Sequence, residues 1–149
     1  MRLPSPRLLV AMLIAAAPLA AQAADYCPDP AHATPADVPP DLTAAVAKAF
    51  NVDAPAIAGA AYVRCVGPVL MGCTIGANLV CDKADTRRRL PGATEWCRQN
   101  PGSDFIPMAA TGHATIYNWS CKGTHAVAGK AVLTVDPQGY IADNWKTIH

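Results

Sequence analysis

Thr115-Ile-Tyr-Asn-Trp-Ser-Cys121, then Lys122-Gly-Thr124, then Val127 to Val135, is the stretch that decides the fold. Thr115, Tyr117, Trp119 and Cys121 alternate with Ile116, Asn118 and Ser120. That period of two sends successive side chains to opposite faces of a strand. Lys122-Gly123-Thr124 turns the chain, and Val127–Val135 returns as a second strand. Asp136-Pro137-Gln138-Gly139 has the residue preferences of a type I turn closed by a glycine bulge. Tyr140 to Ile148 then completes a three-stranded meander, with Trp145 expected to pack near Trp119.

The chain upstream supplies the rest of the fold. Ala61–Val66 and Val69–Ile75 read as strands paired around Gly67-Pro68. Asp41–Phe50 reads as a helix, with Asp41 as its cap and Leu42, Val46, Ala49 and Phe50 on one face. Asn51 suits its end, and Asp53-Ala-Pro55 suits the start of a much shorter helix limited by Gly59. Pro91–Gln99 forms another helix, with proline in its first turn and Asn100-Pro-Gly102 as its stop. Ala93, Trp96 and Cys97 should face inward from it. The expected class is α+β: short helices towards the N-terminus, an antiparallel sheet ending in the three-stranded meander, and disulfide staples.

The first 23 residues read as a leader separate from the fold. Arg2 and Arg7 give a basic start, Leu8–Ala17 is apolar, and Ala21-Gln-Ala23 fits the small-x-small cleavage rule. Pro18 closes the apolar run well short of the roughly 20 residues a membrane anchor needs. Ala24 would then begin the mature chain, and no membrane span is expected in it. Of 12 basic and 11 acidic residues, only Arg2 and Arg7 leave with the leader, so ten cations face eleven anions. A balance of −1 gives no electrostatic case for nucleic acid. Residues 24–40 form a proline-rich arm, with five prolines between Asp25 and Pro40 and nothing periodic to bury. Residues 41–149 form a single domain.

Cys27, Cys65, Cys73, Cys81, Cys97 and Cys121 all follow the leader. An even number in an exported chain points to disulfides, and three bridges allow 15 connectivities. No Cys-x-x-Cys spacing favours a redox, zinc or haem site, and the four histidines lack metal-binding spacing, so neither metal nor cofactor is expected. A hairpin turn at Gly67-Pro68 sets Cys65 opposite Leu70 and Cys73 opposite Tyr62. The two cysteines then lie about 10 Å apart along the strands, beyond the roughly 7 Å reach of a bridge. Cys27 is expected to staple the arm to the body.

Two constellations merit chemical attention. Asp104, beside Ser103, and His113, after Thr111-Gly112, are the weak candidates for an acid–base pair. Arg87-Arg88-Arg89, with Arg98 on the following helix, could grip a carboxylate or phosphate. Asp82, Asp85 and Glu95 lie close enough to neutralise those cations.

The segments Cys97-Arg-Gln-Asn-Pro101, Asp104-Phe-Ile-Pro-Met108, Thr111–Cys121, Val127-Ala-Gly-Lys130 and Asp136–Trp145 together resemble small exported bacterial proteins. The resemblance covers about the last half of the mature chain. It implies export and a bacterial source, and it brings no activity, cofactor or catalytic residue with it. The leading expectation is a small periplasmic or secreted non-enzymatic domain that binds an envelope protein or a small anionic ligand. The alternatives are an inhibitor of an envelope-directed enzyme and a small hydrolase using Asp104 and His113.

Overall fold

A computed structural model describes residues 26–27, 30–76 and 78–149; the expected leader lies outside them. The strands are β1 (Ala36–Asp37), β2 (Ala61–Val66), β3 (Val69–Thr74), β4 (Tyr117–Lys122), β5 (His125–Ala131) and β6 (Lys146–Thr147). The α-helices are α1 (Thr43–Phe50), α2 (Pro91–Gln99) and the single turn α3 (Met108–Thr111). The architecture is α+β with antiparallel strands, as the sequence patterning predicts. One sheet has the order β1-β2-β3-β6, and β4 and β5 form a separate hairpin.

Local chemistry accounts for most of the boundaries. Gly67 has φ 58° at the β2–β3 turn, a backbone conformation that only glycine adopts without a steric penalty. The register that follows pairs Cys65 with Leu70 and Tyr62 with Cys73, as expected from a two-residue loop. Asn51 ends α1 in the left-handed region, φ 56°. Pro91 opens α2, where its missing N–H costs no helical hydrogen bond. Asp41 does not cap α1: Leu42 holds the cap position, and no side chain bonds the free N–H groups. Burial of Leu42, Ala45, Val46 and Ala47 against the sheet stabilises the helix instead.

Among the described residues, three buried clusters make up the core, and each holds one disulfide. The first gathers Leu42, Val46, Ile57, Val63, Leu70 and Ile148 around Cys27–Cys65. The second sets α2 against the β4–β5 hairpin, with Leu90, Ala93, Ile106 and Trp119 around Cys97–Cys121. The third joins Tyr140 and Trp145 to Cys73–Cys81. The crosslinks add to the packing of these clusters by restricting the unfolded chain. The bridges are those of a chain that folds in a non-reducing compartment.

Cys27 staples the proline-rich arm to the body through Cys65, as expected, and Ala36 and Asp37 add a short pairing with Val63 and Tyr62. Two features differ from expectation. The C-terminal meander stops early. The turn at 136–139 forms, with Gly139 N–H donating to the Asp136 carbonyl (2.9 Å) and Val135 bridged to Ile141. The chain then bends through a 3-10 turn at Ala142–Asn144, and β6 joins β3 instead of β5. At that edge Trp145 reaches the third cluster while Ile148 reaches the first. Pairing along the largely exposed β5 would have buried neither as well. For the same reason Trp145 does not pack near Trp119, which lies in the second cluster and donates its indole N–H to Thr115 Oγ1 (2.9 Å).

Candidate functional site

The two-residue period of β2 creates the most unusual site. Ala61, Val63 and Cys65 point into the first cluster, so Tyr62, Arg64 and Val66 must point to the other face of the sheet. Met71 lies opposite Arg64 and Val69 opposite Val66, which extends that second face onto β3. The C-terminal segment folds over it. Arg64 is consequently only 1% exposed, the largest fully buried side chain among the described residues.

A buried guanidinium needs partners, because an unpaired charge in a low-dielectric interior costs several kcal/mol. Arg64 donates through Nη2 to Asp136 Oδ2 and through Nη1 to Gln138 Oε1. Its Cζ lies 4.3 Å from the Tyr140 ring centroid and 4.4 Å from that of Trp145. The two rings meet edge to face at 5.7 Å, so the cation rests against an aromatic corner. Gln138 is itself fixed, since its Nε2 donates to the Cys65 carbonyl (3.2 Å). Asp136 Oδ1 accepts the backbone N–H groups of Gln138 (2.9 Å) and Tyr140 (3.0 Å). The 136–139 turn therefore serves as a binding loop for the cation of β2. Burial alone would raise the Asp136 carboxyl, but the Tyr140 N–H, the Arg64 guanidinium and the Gln138 N–H outweigh it and hold the group below the usual carboxylate range.

Two clefts flank this network. One, of about 220 Å³, is lined by Arg64, Val66, Val69, Met71, Asp136, Ala142 and Trp145. The other, of about 270 Å³, lies where Lys83 covers the Tyr140 ring, beside Pro35, Tyr62, Ile75 and Asp82. Among the described residues, no group of three or more His, Cys, Asp or Glu side chains could hold a metal ion.

The arginines expected to bind are exposed, and Arg87, Arg88 and Arg98 are each engaged locally. Arg87 forms a two-point pair with Asp85, Nε to Oδ1 at 2.9 Å and Nη2 to Oδ2 at 2.6 Å. The hydrogen bond to Arg87 outweighs a small desolvation cost and keeps the Asp85 carboxyl low. Arg88 lies over the Tyr117 ring at 4.5 Å, near the carbonyls of Ala128 and Gly129. Arg89 is exposed. Arg98 pairs with Glu95 on its own helix (3.0 Å). These contacts hold the side chains apart on local partners and do not converge them on one anion.

Asp104 and His113 are both exposed, and among the described residues no hydrogen bond joins them. Asp104 lies on the segment that lines β4, where the Ile106 N–H reaches the Trp119 carbonyl (3.0 Å). His113 sits in the turn after α3. Sequence reading missed Arg64 altogether. The available signal was a single cation within Ala-Tyr-Val-Arg-Cys-Val, two residues from Tyr62 and Val66 on the same face. No protein-family model, curated protein or solved structure matches the chain.

Proposed function

We propose that this chain is an exported, disulfide-framed domain that binds a partner in the periplasm or outside the cell through the exposed cations of the 87–89 segment. The observation that carries the reading is the way Arg87 and Arg88 are presented. Each guanidinium is open to solvent yet fixed, one by the Asp85 carboxylate and the other by the Tyr117 ring. Long cationic side chains normally lose rotamer freedom on binding, and arginines ordered beforehand avoid part of that cost. The segment lies next to Leu90, which anchors it to the disulfide-bonded second cluster. A leader-like N-terminus and three disulfides favour an extracytoplasmic setting. The complementary surface is an acidic face of an envelope protein, whose separate carboxylates can meet the arginines one by one.

Crosslinking of the oxidised protein in envelope extract tests this. Replacing Arg87, Arg88 and Arg89 by alanine should abolish recovery of the partner, and raised salt should weaken it in the wild type. The Asp104→Ala/His113→Ala variant should retain the partner. Loss in that double variant, with the fold intact, would refute the reading in favour of chemistry at those two side chains. If the captured protein is an enzyme whose turnover falls on adding the domain, the partner class becomes that of an inhibited enzyme.

A further inference from the structure

The β4–β5 hairpin leaves one strand edge open, and that edge adjoins the arginine surface. We infer that β5 takes up an extended acidic segment of the partner protein as a third strand, with Arg88 meeting a carboxylate on that segment. The inference rests on the cationic reading of residues 87–89 and names the form in which the acidic partner is presented.

The hydrogen bonds of β4 identify the open edge. The Cys121 N–H donates to the Ser103 carbonyl (2.7 Å), and the Trp119 carbonyl accepts the Ile106 N–H (3.0 Å). Cys121 and Trp119 therefore turn their backbone groups away from β5, while Ser120 and Lys122 turn theirs towards it. Ser120 pairs with Val127 and Lys122 with His125, so Ala126 and Ala128 direct their N–H and C=O groups outward from the sheet. Among the described residues, Arg88 alone reaches any of these groups, its Nη1 lying 3.4 Å from the Ala128 carbonyl oxygen. Val127, Gly129, Lys130 and Ala131 are exposed around them. Backbone groups without a partner in the fold must reach water, and a row of them is a template for another strand.

Charge selects the occupant. Residues 117–131 include Lys122, His125 and Lys130 and no Asp or Glu. Arg88 adds a guanidinium at the Ala128 end, held over the Tyr117 ring. Asp85 and Glu95, which flank the arginine segment, already pair with Arg87 and Arg98. Pairing of this edge with a second copy would bring two such sets of cations together, and like charges across a strand pair are destabilising. A segment with Asp or Glu at alternate positions gains opposite-charge pairs instead. The Arg88 contact with Ala128 is long for a hydrogen bond, so the guanidinium can turn to a carboxylate without giving up a strong interaction. The register shift between Tyr117 and Trp119 interrupts regular pairing beyond Ala128, which limits the added strand to about four or five residues.

The test uses the oxidised mature protein, 15N-labelled, and a blocked peptide of alternating threonine and glutamate, N-acetyl-Thr-Glu-Thr-Glu-Thr amide. The peptide should shift the Ala126 and Ala128 amide signals saturably, with half-saturation on the order of 1 mM, and slow their hydrogen exchange. The same peptide with lysine in place of glutamate should bind at least about tenfold more weakly. So should the glutamate peptide N-methylated at its central residues, which keeps both carboxylates but cannot approach a strand edge. In Arg87→Ala/Arg88→Ala/Arg89→Ala the half-saturation point should rise at least about threefold. No shift at Ala126 and Ala128, or equal binding of the lysine peptide, overturns the inference. Arginine dependence without sensitivity to N-methylation overturns the strand pairing and leaves the cationic surface standing. Sensitivity to N-methylation without arginine dependence overturns the cationic surface, and the acidic occupant with it.

Discussion

Replacing Asp136 by asparagine isolates the charge that faces Arg64. Asparagine keeps an oxygen to accept the Gln138 and Tyr140 N–H groups, so the turn can persist. What is lost is the counter-charge of a guanidinium that is 1% exposed. Breaking one partner of a buried pair costs about 3–5 kcal/mol. Contact with the Tyr140 and Trp145 faces recovers on the order of 1 kcal/mol, which leaves about 2–4 kcal/mol. Arg64→Met should cost less, because the Asp136 carboxylate is 12% exposed and can turn to water. The double variant, with the charge removed from both sides, should be more stable than the sum of the two losses by at least about 1 kcal/mol. Urea unfolding of the oxidised proteins, followed by tryptophan fluorescence, measures this directly. At a slope of about 1–3 kcal/mol per M, Asp136→Asn should lower the midpoint by about 1–2 M. A loss below about 1 kcal/mol for Asp136→Asn, or strict additivity in the double variant, would refute the view that the 136–139 turn holds the buried cation of β2 by charge.

Further expectations follow from the same contacts. The Asp136 carboxyl titrates below its unfolded value of about 3.9, so its contribution is complete above that pH and is lost as the solution is acidified through the lower folded value. Urea midpoints at pH 7, 4 and 2.5 should therefore fall less steeply in Asp136→Asn than in the wild type. Sequence separations of 38, 24 and 8 residues rank the disulfides. Serine pairs replacing Cys27–Cys65, Cys97–Cys121 and Cys73–Cys81 should cost about 4, 3.5 and 2.5 kcal/mol, and thermal unfolding of the three variants checks the order. Gly92→Ala should destabilise by about 1–3 kcal/mol even though alanine favours helices, because an added Cβ would overlap the Ala110 carbonyl oxygen. A rise in melting temperature for Gly92→Ala would show that α2 and α3 can separate without cost.

The candidate site was legible only in part. The arginines of 87–89 stand out as a charge run, and their neutralisation by Asp85 and Glu95 could be foreseen from spacing. The acid–base candidates Asp104 and His113 drew attention for their residue types, and type alone carries no distance. Arg64 was hidden because a cation in a strand ordinarily marks a solvent-facing position. Its partners lie 72 and 74 residues further along, beyond any local pattern.

By itself the sequence determined what short-range rules control. Alternation set the faces of β2 and β3, and the Gly67-Pro68 loop set their register, which in turn excluded a Cys65–Cys73 bridge. Pro91, Asn51 and the Asp136–Gly139 turn marked boundaries through backbone preferences that act within a few residues. Only the tertiary structure decided which faces meet. It moved the last strand to β3, separated Trp119 from Trp145, chose one cysteine pairing of the fifteen, and turned Arg64 inward. These outcomes depend on burying area and pairing charge across the whole chain, and periodicity does not record which surfaces will come together.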